Sequence, residues 1–342
     1  MLRFLGALTL AFAIPVTGQT LPSPSDFDSR SIKDSAFGDI GWHLDRDASG
    51  ASGPLVVWLP GSGAMPYFQN YKDGSAGFNF PLELLAFRGE GHFLLVDKPG
   101  IPFSAAIQFD EKRQRPTELD NSVYRMGLTK EFLVARAAIA IRAAQAELGN
   151  RATQLIIIGG SEGAQYAFEL ARKVQADRVI GWGGIALPQY YDVIIDLRLQ
   201  AERGEITREE AQDRIEKVYV SIRAIEVSPY DTIERFQGEA FRRWSSFGPY
   251  AAIDDMLALD VPLLLVQGGA DNNAPILNSD FAKIAFLSAG KSNFEYWVYP
   301  NLDHSFRDTR PNIPRTDVNK NKEVWGRVWK WLQNKQSTET FR

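Results

Sequence analysis

Ile158-Gly159-Gly160-Ser161-Glu162-Gly163-Ala164 is the stretch that decides the fold. Residues 155–158 (LIII) before it form an apolar run of strand length, and residues 164–173 after it have helical patterning. Gly159, Ser161 and Gly163 thus place a G-x-S-x-G motif on a strand–turn–helix junction. Such a tight turn pushes the serine hydroxyl out of the strand end. The flanking positions must be glycine so that the backbone can pass closely, and the helix that starts after the serine turns free N–H groups and a positive dipole end toward the hydroxyl. A capping serine in a glycine-rich turn is the structural alternative.

The pattern extends outward in both directions. Residues 55–59 (LVVWL) end at Pro60-Gly61-Ser62-Gly63, and residues 93–96 (FLLV) end at Asp97-Lys98-Pro99-Gly100. Further strand-like runs stand at 179–185, 262–266 (PLLLV) and 294–299 (FEYWVY), with an early strand within 37–44 and a turn over 45–54. Thr129 caps a helix that runs to Leu148 and stops at Gly149, with an apolar stripe of Leu133, Ala137, Ile141, Ala144 and Leu148. A terminal helix over 321–334 carries Trp325, Val328, Trp329 and Leu332, and the polar residues 108–124 read as a surface loop. Strands alternating with helices imply an α/β fold: a mostly parallel central sheet flanked by helices. The alternation stops at about 187–257, where helices over 190–203 and 207–225 are separated by Gly204, with a Thr207/Glu210 capping box. We read this as a helical cap insertion within a single domain over 19–342. Phe241, Trp244, Phe247 and Tyr250 recur every three residues and either pack the cap onto the sheet or, for Trp244 and Phe247, line a substrate pocket.

A serine hydroxyl needs a base, and the chain has three histidines. His304 lies just beyond the run at 294–299, in a loop at a strand's C-terminal end, where parallel sheets place their sites. His43 reads as a sheet-edge residue and His92 as one at the opposite, N-terminal end of its strand. Asp271, after the strand at 262–266, is the expected acid that holds the imidazole tautomer; Asp303 adjoins His304 but would point elsewhere. Glu162 puts a carboxylate beside the serine. It serves either as a helix N-terminal acid or to recognise a cationic substrate group.

The order Ser161, Asp271, His304 resembles that of the α/β-hydrolase superfamily, and the likeness covers most of the chain after residue 18. Residues 58–63 (WLPGSG) resemble the oxyanion loop, with Pro60 where many members have histidine. Residues 97–104 (DKPGIPFS) are similar to a D-x-R-G-x-G-x-S segment, with prolines replacing the arginine and the second glycine. The resemblance implies an oxyanion hole made by the backbone N–H groups of Ser62 and Glu162, and a serine hydrolase acting on carboxylic esters without a cofactor. The same three residues would also serve an aminopeptidase or amidase, and the fold by itself could serve as a non-catalytic binding module.

Composition narrows the classes. With 44% hydrophobic and 23% charged residues the chain is globular, and a net charge of −4 without a basic run excludes a nucleic-acid footprint. The absence of cysteine removes disulfides, thiolate metal sites and a cysteine nucleophile, and the scattered histidines give no metal-ligand spacing. Met1-Leu2-Arg3, an apolar stretch over 4–16 and Val16-Thr17-Gly18 read as a signal peptide over 1–18, which implies a secreted or periplasmic protein. That stretch is too short for a stable membrane span. The expected partner is a small-molecule ester or a short peptide.

Overall fold

The structure, a computed structural model, describes residues 21–46, 51–112, 115–184, 186–314 and 316–333; the stretch read as a signal peptide lies outside them. Eight strands form one sheet: β1 (Phe27–Asp34), β2 (Gly38–Asp45), β3 (Gly53–Leu59), β4 (His92–Val96), β5 (Ala152–Gly160), β6 (Arg178–Trp182), β7 (Leu263–Gly268) and β8 (Phe294–Tyr299). Their order is β1-β2-β4-β3-β5-β6-β7-β8, antiparallel at β1/β2 and β2/β4 and parallel from β4 onward. The inner stretches of the central parallel strands are apolar because both of their faces are covered. Along β3 the side chains divide by pleat. Leu55, Val57 and Leu59 enter one core, and Val56 and Trp58 enter the other.

The first core is roofed by α1 (Lys130–Leu148), α2 (Glu162–Val174) and α7 (Ile276–Ser288). Thr129 Oγ1 accepts the Phe132 N–H at 3.3 Å and so caps α1 as its sequence implies. The second core is roofed by α8 (Asn321–Gln333), whose Trp325 stacks on Trp182 with ring centroids 4.2 Å apart.

Between β6 and β7 the chain leaves the sheet for α3 (Gln189–Glu202), α4 (Arg208–Val227), α5 (Phe241–Phe247) and α6 (Ala252–Ala258). Thr207 and Glu210 form the capping box at the start of α4. Tyr190, Val193, Leu197, Ile215, Val218, Ile225, Phe236 and Trp244 give this segment a small core of its own. Its C-terminal part does not stand apart, because Phe247, Ala252, Ile253 and Met256 are buried in the first main core. The entrance is fixed as well. Asn278 Oδ1 accepts the N–H groups of Ala186 and Leu187 at 2.9 and 2.6 Å, while its amide nitrogen donates to Asp192 on α3.

Two features departed from the sequence expectations. β1 reads FDSRSIKD, and among its residues only Phe27 is buried, so an edge strand formed by pairing with β2 carries no apolar signature. The stretch 108–124 holds a two-stranded ribbon and the start of a helix, Ser122–Gly127, that buries Tyr124. No helix among the described residues is long and apolar enough to cross a membrane.

Candidate active site

Ser161 stands between the end of β5 and the start of α2 with φ 53° and ψ −120°. A residue with a side chain rarely takes positive φ, and holding it there costs on the order of 1–3 kcal/mol, offset by the structure around it. Part of that support is a hydrogen bond from the Ser161 N–H to the Trp182 carbonyl, 2.8 Å. The glycines of the motif are sterically required. A Cβ on Gly159 would lie 2.2 Å from the Gly163 carbonyl oxygen, and one on Gly163 would lie 2.2 Å from that of Leu59. The turn therefore closes against both itself and the end of β3.

The loops after β7 and β8 bring two more side chains to the same end of the sheet. His304 Nε2 lies 3.1 Å from Ser161 Oγ, and His304 Nδ1 lies 2.7 Å from Asp271 Oδ2. Asp271 is buried and uses both oxygens. Oδ1 accepts the N–H groups of Asn273 and Ala274 at 2.8 and 2.9 Å, and Oδ2 also accepts from Gln267 Nε2 at 3.0 Å. It is at once a turn-forming aspartate and the partner of the imidazole. Burial by itself would push the His304 pKa down. The Asp271 charge and hydrogen bond, with the Asp303 charge, outweigh burial and hold it above the ordinary histidine value. Asp303 is otherwise engaged, its Oδ1 accepting the N–H groups of Ser305 and Arg307 at 2.9 Å each.

Of the two expected oxyanion donors, Glu162 follows the serine in the chain and Ser62 follows a residue that abuts it. Glu162 is the first residue of α2, where N–H groups have no intrahelical acceptor. Ser62 follows Gly61, which abuts the serine so closely that a Cβ there would lie 3.0 Å from Ser161 Cβ. Ser161, Gly61 and Ser62 are partly exposed, whereas Asp271 and His304 are buried, so the site opens to solvent at the serine.

The Glu162 carboxylate does not face solvent. Oε2 accepts from Arg243 Nε at 2.9 Å and from Arg243 Nη2, which also reaches Gln189 Oε1 at 2.5 Å. Both partners are buried, and Arg243 comes from α5 of the insertion. Beside this pair lies Glu239, whose pKa is pushed up to about 7 by burial, against the pull of Arg243. Lys98 is also buried there, and donates to the carbonyl oxygens of Gly61 and Gly63, the latter at 2.7 Å.

Trp244 and Phe247 are enclosed by protein. The Trp244 ring stacks on Tyr190 at 5.6 Å and donates its indole N–H to the Phe236 carbonyl at 2.6 Å. Phe247 meets Tyr166 edge-on, and the Arg243 guanidinium lies 4.5 Å from the Trp244 ring and 5.0 Å from that of Phe247. His43 is on β2, bonded to Ser29 Oγ at 2.8 Å and Asp97 Oδ2 at 3.0 Å, and His92 opens β4 at the far end of the sheet. Among the described residues no cluster of His, Asp and Glu side chains could hold a metal ion.

Sequence inspection passed over Lys98 and Arg243. A lysine in DKPG looks like a turn residue, and Arg243 sits in FRRWSSF among residues picked out for their aromatic rings. The available signal for Arg243 is its position one helical turn before Phe247, which puts both on one helix face.

No protein-family model matches the sequence, and no curated protein does. Solved structures match at low identity. One is Pyrococcus horikoshii acylaminoacyl peptidase, at 12% identity and a TM-score of 0.57, covering 93% of this chain and 43% of that one. Another is a Pyrococcus furiosus esterase, at 13% identity and a TM-score of 0.53, covering 93% of this chain and 95% of the esterase. The chain thus spans less than half of the peptidase and nearly all of the esterase. What it shares with both is the α/β-hydrolase fold.

Proposed function

We propose that the chain is a serine hydrolase that cleaves carboxylic esters through an acyl-enzyme on Ser161. The observation that carries this reading is the continuous relay from Ser161 Oγ to His304 Nε2 and from His304 Nδ1 to Asp271. In the first step Ser161 Oγ attacks the acyl carbon while His304 Nε2 takes its proton. Asp271 fixes the tautomer with hydrogen on Nδ1 and stabilises the imidazolium that forms. The carbonyl oxygen becomes an oxyanion between the N–H groups of Glu162 and Ser62. His304 then returns the proton to the departing alkoxide. Water, activated by the same imidazole, clears the acyl group.

The same relay cleaves amides, so the substrate is tested directly. A panel of esters of graded acyl length and of aminoacyl arylamides should show turnover of the esters; turnover of the arylamides alone would make the enzyme a peptidase. Labelling by a fluorophosphonate separates enzyme from binding module. Wild type should label and Ser161→Ala should not, and equal labelling of the two would overturn the nucleophile. Export follows from the charged, apolar and small-residue order of residues 1–18. N-terminal sequencing of protein from its native compartment should find those residues missing.

A further inference from the structure

The loop after β3 is held by charge. Lys98 Nζ donates to the carbonyl oxygens of Gly61 and Gly63, and Glu118 Oε2 accepts the Ala64 N–H at 3.1 Å. Lys98 is buried, and among the described residues it makes no ion pair; its hydrogen bonds go to the backbone of this one loop. A buried ammonium without a carboxylate on it is costly, and carbonyl dipoles compensate it only when they are held in place.

The geometry has a directional result. The Gly61 carbonyl and the Ser62 N–H belong to one planar trans peptide unit and point to opposite sides of it. Lys98 holds the oxygen side. The N–H side is turned away from Lys98, and Gly61 itself abuts Ser161. A cation on the carbonyl also polarises the amide and strengthens its N–H as a donor.

Resting on the serine-hydrolase reading, we infer that Lys98 is the positioning residue of the oxyanion hole: by holding the Gly61 and Gly63 carbonyls it aims the Ser62 N–H at the oxygen that becomes negative in the transition state. It touches no reacting atom. Burial lowers its pKa, while the charges of Glu162, Glu118 and Glu239 work to keep it protonated and that of Arg243 works the other way. The resemblance noted for residues 97–104 assigns no role to this position.

The test compares wild type with Lys98→Met. The loss of aim and polarisation should lower kcat by about tenfold to a hundredfold, somewhat less than deletion of an oxyanion donor itself. KM for a neutral ester should stay within twofold. Affinity for an alkyl trifluoromethyl ketone, which forms an oxyanion on Ser161, should fall in parallel with kcat, a pattern that a general loss of packing would not give. Lys98→Gln keeps a donor without the charge and provides a second measurement should the methionine variant fail to fold; it should fall between the two. Unchanged kcat and unchanged ketone affinity in a folded variant would overturn the inference. If the wild type itself neither labels with fluorophosphonate nor turns over any ester, the hydrolase reading fails first, so the two failures are distinguishable.

Discussion

The serine turn concentrates strain in one residue, and that is why the sequence shows it. Gly159 and Gly163 must lack side chains because a Cβ on either would run into backbone, so the steric demand is written into the local sequence. Asp271 and His304 were legible for a related reason, since each stands just past a strand-like run on the side where a parallel sheet gathers its loops. Lys98 and Arg243 were not, because their partners are backbone carbonyls and a carboxylate from distant segments. At this scale pH is the sharpest probe. In the proposed mechanism His304 must be neutral to accept the serine proton; burial lowers its pKa, but Asp271 and Asp303 hold it above the ordinary value. kcat/KM should therefore fall as pH drops through a value above that of a free histidine. In Asp271→Asn this acid limb should move to lower pH, and the plateau should drop by up to about 10⁴-fold as the tautomer is lost. A pH–rate profile of the two proteins checks both, and an acid limb that stays in place would remove Asp271 as the partner.

Among the elements, α1 and α4 declared themselves through their caps and α2, α3 and α8 through their patterning, whereas α6 and α7 gave no signal that was read; the parallel strands showed as apolar runs. β1 did not, because an antiparallel edge strand draws its order from pairing, and residues on both of its faces, such as Ser29, Arg30 and Lys33, are exposed. Of the aromatics that recur every three residues at 241–250, the first three lie on the short helix α5, while Tyr250 lies beyond its end. What spacing could not decide was the direction of each ring. Trp244 lies in the insertion's own core, between Tyr190 and Phe236. Trp244→Ala should lower stability by about 3–5 kcal/mol, as for other buried large aromatics. Because protein covers its ring, the ratio of kcat/KM between a short and a long ester should stay the same when measured below both melting ranges. A changed ratio would place Trp244 against the acyl chain.

Over the whole molecule, two cores divided by one sheet account for most of the buried apolar residues, and the insertion adds the third, smaller one. Strand order was the least legible property. The sequence implied a mostly parallel sheet, but nothing in single runs says that β4 lies between β2 and β3. The insertion is joined to the rest by more than its two chain crossings. Arg243→Ala would leave Glu162 buried and charged next to the serine, a change that costs about 3–5 kcal/mol when a buried pair is broken. Thermal or denaturant unfolding should show that loss. A double variant, Arg243→Met with Glu162→Gln, should recover most of it by removing both charges.

That ion pair changes what kind of object the insertion is. By topology it is an addition, leaving after β6 and returning before β7. By electrostatics it is tied to the serine turn, since Arg243 neutralises Glu162, the first residue of α2 after Ser161. Swapping the segment for that of a distant relative should therefore succeed only when the residue after the serine is exchanged with it, so the two regions are constrained to diverge together.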